Sequence, residues 1–199
     1  MILGDSIVSG IASEEYVLCS FPGIHIENIL SNIRIRNSIP WQSDAFFILL
    51  GSNDIFKLHS SEYLAYVQSL FSFIMFKNPT AKVYIGSLLP RTIFLRESKK
   101  LVVHNKITHF NTALQEFCTG DNPSYIDLHS NFILNDNPIS HLFSDKVHLS
   151  AQGKKLLKDN ISAVLNTEKI IAFKQEKQKQ VSQNEVEQQW WRELQPRST

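Results

Sequence analysis

Residues 45–50 read Ala-Phe-Phe-Ile-Leu-Leu, six apolar positions with no polar residue among them. A strand with one wet face alternates polar and apolar residues. One without alternation is covered on both faces, the condition of a parallel sheet whose crossover helices lie above and below it. Residues 81–88 form the next buried strand, ended by Pro90. Short strands at 2–4, 16–19 and 125–128 complete a set of five. Between them the spacing turns helical. Ile26, Ile29, Leu30 and Ile33 predict a helix over 27–35. Tyr63, Leu64, Val67, Leu70, Phe71 and Ile74 share one stripe behind Ser60 and Ser61, and Ile107, Phe110, Leu114 and Phe117 do so within a helix over 101–118. A last helix is expected over 150–165, and a short one over 7–13. Strands separated in this way by helices predict a parallel sheet with helices on both faces.

Those elements end near Leu165, which sets a domain at 1–165 and a charged, Gln-rich tail or helix at 166–199. Adjacent tryptophans are costly to expose, so Trp190-Trp191 are expected to dock on the domain or on another copy, the tail then serving self-association. Twenty basic residues against 19 acidic ones leave a net charge of +1. No global field therefore draws in nucleic acid or anionic lipid. No apolar run approaches the ~20 residues of a membrane helix. Cys19 and Cys118 are too few for a disulfide framework and read as reduced, buried and structural. Met1-Ile2-Leu3 runs directly into Gly4-Asp5-Ser6, with no room for a secretory signal. The expectation is a module of a longer intracellular protein, cytoplasmic or nuclear.

In an open α/β sheet, ligands bind where strands end at their carboxyl side. Three polar clusters fall there: Gly4-Asp5-Ser6 after the first strand, Gly51-Ser52-Asn53-Asp54 after the apolar run, and Asp145 with His148 before the last helix. Each alone reads as a turn or a structural histidine; together they make a reaction. A serine hydroxyl needs a base, which His148 can be. The base needs its other ring nitrogen held, which Asp145 can do from the same turn. Attack on an ester creates an oxyanion, and the backbone N–H of Ser6, that of Gly23 and the Asn53 amide are candidate donors, each worth roughly 3–4 kcal/mol. Asp5 and Asp54 read as structural ties for these loops.

Ser6, Gly23, Asn53 and His148, in that order, resemble the four signature residues of the SGNH (GDSL-like) hydrolase superfamily. Ile7 stands where a leucine often follows the serine, and Gly23 matches by position and residue alone. The resemblance spans about residues 1–165. It implies a flavodoxin-like three-layer α/β/α fold on a five-stranded parallel sheet, esterase activity through an acyl-enzyme on Ser6, and no metal or organic cofactor. A further similarity is to the esterase domain of LINE-type retrotransposon first open reading frame proteins. It is carried by Gly4-Asp5-Ser6-Ile7-Val8, Gly51-Ser52-Asn53-Asp54-Ile55, Val147-His148-Leu149-Ser150, and Asn111 ahead of Cys118.

The predicted substrate is a small ester, an acetylated compound or lipid, because so short a domain leaves little material for a lid beyond residues 91–100. Two alternatives stand: a module binding nucleic acid or lipid with little catalysis, and a carbohydrate or lipid acylesterase outside retroelements. Arg91, Arg96, Lys99 and Lys100, or Lys154, Lys155 and Lys158, could give a weak nucleic-acid association, though both clusters read first as solvated faces. His25, His59, His104, His109, His129 and His141 show no metal-ligand spacing and read as surface or hydrogen-bonded residues.

Overall fold

The computed structural model describes residues 1–11, 14–92 and 97–166, with the backbone alone for 97–100. Met1–Lys158 is one compact unit; a second, Asp159–Thr199, is described only through 166, where it is helical. Trp190-Trp191, and Ile93 to Arg96 within the expected cleft-covering segment, lie outside the described residues. Among the described residues no helix is long and apolar enough to cross a membrane.

Five strands form the sheet: β1 (Ile2–Gly4), β2 (Leu18–Ser20), β3 (Ala45–Leu49), β4 (Lys82–Gly86) and β5 (Ser124–Ile126). Every pairing is parallel, in the order β2-β1-β3-β4-β5. This is the flavodoxin-like order, whose topological switch lies between β1 and β3. The three-layer α/β fold expected from the sequence is the one observed.

The unbroken apolar run of β3 is explained by its burial on both sides. Leu3, Phe46, Ile48, Val83 and Ile85 point into one hydrophobic cluster with the stripes of α3 (Ser60–Lys77) and α4 (Glu97–Phe117). The alternate residues Ile2, Phe47, Leu49 and Tyr84 are just as buried, facing a second layer that includes Leu128 and Phe132. A Cβ added at Gly86 would stand 2.8 Å from Leu128 and 3.2 Å from Phe47 and Leu49, so β4 needs glycine there to let that layer close on the sheet. Leu157, on the helical turns 151–158 (α5), is also fully buried.

Several boundaries differ from the sequence reading, each for a local reason. The expected helix over 27–35 is two: α1 (Glu27–Ser31) and α2 (Ile33–Ser38). Asn32 leaves the helical conformation and its carboxamide accepts from the N–H of Arg34 and Ile35, so it caps the second helix instead of continuing the first. The helix expected over 7–13 is a single 3₁₀ turn, Ser6–Val8, ended by Ser9 in extended conformation; Ala12 and Ser13 lie outside the described residues. The strand expected at 16–19 sits slightly later, at β2. Serines 60 and 61 are inside α3, whose start is closed by the Glu62 carboxylate accepting from the His59 N–H at 2.9 Å. The sequence reading also missed a hairpin after β5, β6 (Ile133–Leu134) with β7 (Asn137–Pro138). Its turn residues Asn135 and Asp136 both take positive φ, which Asn and Asp tolerate better than most. The cysteines are unpaired, as expected, but only half-buried against the core. Burial pushes the Cys118 thiol up to about 11.

Candidate active site

β1 ends at Gly4, and the chain turns at once into the Ser6–Val8 3₁₀ helix. Asp5, 1% exposed, fixes that turn. Its Oδ1 accepts from the Ile7 N–H at 2.9 Å; its Oδ2 accepts from the Ser52 N–H at 3.2 Å and, in a short bond, from the Ser52 hydroxyl. One buried carboxylate thus holds the end of β1 to the end of β3. Burial raises its pKa while these three donors pull it back. The expected tie at Asp5 is present, and it reaches a residue, Ser52, to which the sequence reading gave no part.

Beyond β3, Gly51 has φ +112°, and a Cβ there would come within 2.5 Å of the Tyr63 ring. Only glycine lets the loop turn over that buried aromatic. Asp54, fully buried, then accepts from His25 Nδ1 at 2.9 Å and from the Ile26 N–H at 3.1 Å. Asn53 Nδ2 donates to the Ile24 carbonyl at 2.9 Å, leaving one amide hydrogen for another acceptor. At its other end the same loop is tied back by the Phe21 N–H to the Gly4 carbonyl, 2.9 Å. Gly23 lies between these ties, exposed, with φ +75° and no atom within 4 Å of where a Cβ would stand. Its left-handed backbone accounts for glycine, since a Cβ there would meet nothing. The Ser6, Gly23 and Asn53 segments are therefore cross-linked at one edge of the sheet, on both sides of the β1/β3 switch.

His148 and Asp145 occupy a tight turn after the 3₁₀ segment Ser140–Leu142. Asp145 Oδ1 accepts from the N–H groups of Val147 and His148, both at 2.7 Å, and its Oδ2 meets His148 Nδ1 at 2.7 Å. Those bonds, led by the one from the His148 backbone, hold the Asp145 carboxyl down to about 2. An ionised carboxylate can only accept, so Nδ1 carries the proton and Nε2 presents a lone pair.

The turn is joined to the sheet edge through the segment leaving β4. There the Arg91 guanidinium donates to the Ser52 carbonyl in a short bond, and the Thr92 hydroxyl donates to the Asp145 carbonyl at 2.6 Å. A chain of contacts thus runs from Asp5 through Ser52, Arg91, Thr92 and Asp145 to His148. The exit of β4 is itself gripped by Asn111, whose amide both accepts from the Leu88 N–H and donates to its carbonyl, at 2.7 and 3.1 Å. Neither the Ser6 hydroxyl nor His148 Nε2 forms a hydrogen bond with another of the described residues. The roles of Arg91, Thr92 and Asn111 were not legible in the sequence, because nothing in their spacing marks partners 23 to 53 positions away.

Of the remaining histidines, His25 serves Asp54, and His129 is half-buried with Nε2 unpartnered among the described residues. No cluster of three metal-ligating residues occurs among the described residues.

Fold and site together define a flavodoxin-like α/β/α architecture with its polar residues at the sheet's switch point. The model of the GDSL-like lipase/acylhydrolase family matches residues 2–156, and the chain belongs to that family. Among solved structures, a Streptococcus pneumoniae protein provisionally assigned as a platelet activating factor aligns at 22% identity, covering 82% of each chain with a TM-score of 0.69. An acetyl-xylooligosaccharide esterase from Geobacillus aligns at 15% identity over 80% of this chain and 90% of its own, with a TM-score of 0.60. The esterase domain of the ORF1 protein of the zebrafish ZfL2-1 retrotransposon has 25% identity over 83% of this chain and 97% of its own, at a TM-score of 0.45. None of the curated proteins matches this sequence.

Proposed function

We propose that this protein is a serine esterase acting on small carboxylic esters with short, acetyl-like acyl groups. The observation that carries the reading is the chain of bonds from Asp5 to His148. It ties the turn bearing the imidazole to the loop after β3 that carries Asn53, and through Asp5 to the turn that carries Ser6. Ser6 Oγ attacks the ester carbonyl as His148 Nε2 takes its proton, and the Asp145 carboxylate steadies the imidazolium. The oxyanion is held by the N–H groups of Ser6 and Gly23 and the free hydrogen of the Asn53 amide. The C–O bond then breaks, His148 protonates the departing alkoxide, and the acyl group stays on Ser6. Water attacks the acyl-enzyme by the same route and restores the serine. An Asp–His pair at the surface can exchange protons with solvent between the two steps, since both side chains are about half exposed.

Catalytic hydrogen bonds are often open without substrate and tighten in the complex, which suits a Ser6 hydroxyl that bonds to none of the other described residues. The short stretches shared with retrotransposon ORF1 proteins support reading residues 1–165 as the esterase module of such a protein, with 166–199 as an appended tail. The test is a serine-directed fluorophosphonate probe followed by intact mass, with turnover of 4-nitrophenyl acetate in parallel. One adduct mapping to Ser6, and turnover abolished in a folded Ser6→Ala protein, are expected. Turnover unchanged by that substitution would refute the proposal.

A further inference from the structure

Arg91 stands out once its neighbours are counted. Its guanidinium bonds to the carbonyl of Ser52, the residue before Asn53, and lies 5.2 Å over the ring of Phe56, which is 57% exposed. No carboxylate of the described residues forms an ion pair with it. Asp5 is the charge that it feels, but the oxygens of Asp5 are taken by Ile7 and Ser52. The side chain is half-buried, and burial presses its pKa down. A guanidinium has five N–H donors in a planar fork suited to carboxylate or phosphate, and one backbone carbonyl uses a small part of that capacity. Removing a cation from water costs free energy that a backbone carbonyl offsets only in part. Glutamine could donate to a carbonyl without taking a charge out of water.

We propose that Arg91 forms an anion subsite beside Asn53 and gives the enzyme a preference for esters that carry a carboxylate or phosphate on the alcohol portion, whose apolar part rests on Phe56. The proposal depends on the esterase reading above and deepens it by naming the substrate class. A charged hydrogen bond formed along with the ester's approach raises kcat/KM for the anionic substrate alone. If Arg91 served only to hold the Ser52 loop, its replacement by glutamine, which can still donate to that carbonyl, would affect charged and neutral esters equally.

The test compares 4-acetoxybenzoate with its neutral methyl ester, both releasing acetate, in the full chain and in Arg91→Gln and Arg91→Lys. The wild-type ratio of kcat/KM, anionic over neutral, is expected to fall about ten-fold in Arg91→Gln and to be largely kept in Arg91→Lys, whose charge remains. In the wild type the ratio is also expected to fall steadily with added salt, which tests the idea even if a variant fails to fold. The 4-phosphonooxyphenyl acetate analogue, run alongside, separates carboxylate from phosphate recognition. A ratio unchanged by the glutamine substitution, or insensitive to salt, would overturn the anion subsite while leaving the esterase intact. Absence of turnover on every ester would overturn both.

Discussion

His148 Nδ1 and Asp145 Oδ2 lie 2.7 Å apart within one turn, and the same carboxylate also accepts from two backbone N–H groups of that turn. Asp145 therefore orients the imidazole and shapes the loop that carries it. Because its carboxyl is held at about 2, below the ordinary 3.8, it stays ionised through the whole neutral and mildly acidic range. What the ionised form contributes to folding is present above pH 4 and is lost as pH falls from there through 2. Asp145→Asn keeps the shape but offers Nδ1 a donor, favouring the wrong tautomer. We expect kcat on 4-nitrophenyl acetate to fall by about 10²–10⁴. The same variant should lose the steepening of acid denaturation between pH 4 and 2, read by circular dichroism against pH.

Thr92 is the next test, because its hydroxyl joins the His148 turn to the segment leaving β4. Thr92→Val keeps the shape and removes the donor. Misplacing a base by a fraction of an ångström costs rate more than binding, so kcat should drop roughly 3–10-fold with KM little changed. Thr92→Ser should restore most of it. A loss in the Ser variant with none in the Val variant would mean that the methyl contact, and not the hydrogen bond, positions the turn.

The strand runs and the loop blocks were legible because each is local. An unbroken apolar run implies burial on both faces whatever surrounds it, and Gly4-Asp5-Ser6 or Gly51-Ser52-Asn53-Asp54 are contiguous. Parallel pairing follows from the alternation of strands and helices, while the flavodoxin-like order β2-β1-β3-β4-β5 is what the resemblance to SGNH hydrolases implies. What could not be read were the cross-links. Ser52 meets Asp5 across 47 positions, Thr92 meets Asp145 across 53, and Asn111 replaces a backbone partner for Leu88. The break at Asn32 was hidden for another reason. The apolar spacing of Ile29, Leu30 and Ile33 continues through it, and only the competing carboxamide, which caps better than it propagates, ends the first helix.

Asp54 offers a stability test apart from the chemistry. It is fully buried, accepting from His25 and from the Ile26 backbone. Asp54→Ala leaves a buried N–H without a partner and frees the loop that holds Gly23. A loss of about 2–3 kcal/mol is expected in urea unfolding. Asp54→Asn, which can still accept one of the two bonds, should lose less. A change below about 0.5 kcal/mol in the alanine variant would show that the loop is held by packing alone.

Acyl-chain length tests the size of the space beside the strand ends. A small cleft, with only about 10 Å³ of free volume, is lined by Asp5, Ile7, Leu49, Leu50, Ser52, Leu88 and Leu89. It is well under the roughly 300–1,000 Å³ of sites that enclose drug-sized ligands. Its walls are the core residues of β3 and of the segment after β4, each 7% exposed or less, so widening it would mean disturbing the core of the sheet. An acetyl group makes the smallest demand on that space, while a decanoyl chain must lie along the surface and gains little from burial. Across 4-nitrophenyl esters from C2 to C10, kcat/KM should therefore not rise with chain length, since each methylene left in water gains none of the about 0.8 kcal/mol that burial would supply. A rise toward C10 would mean that a longer apolar channel opens on binding, and the short-acyl assignment would fall.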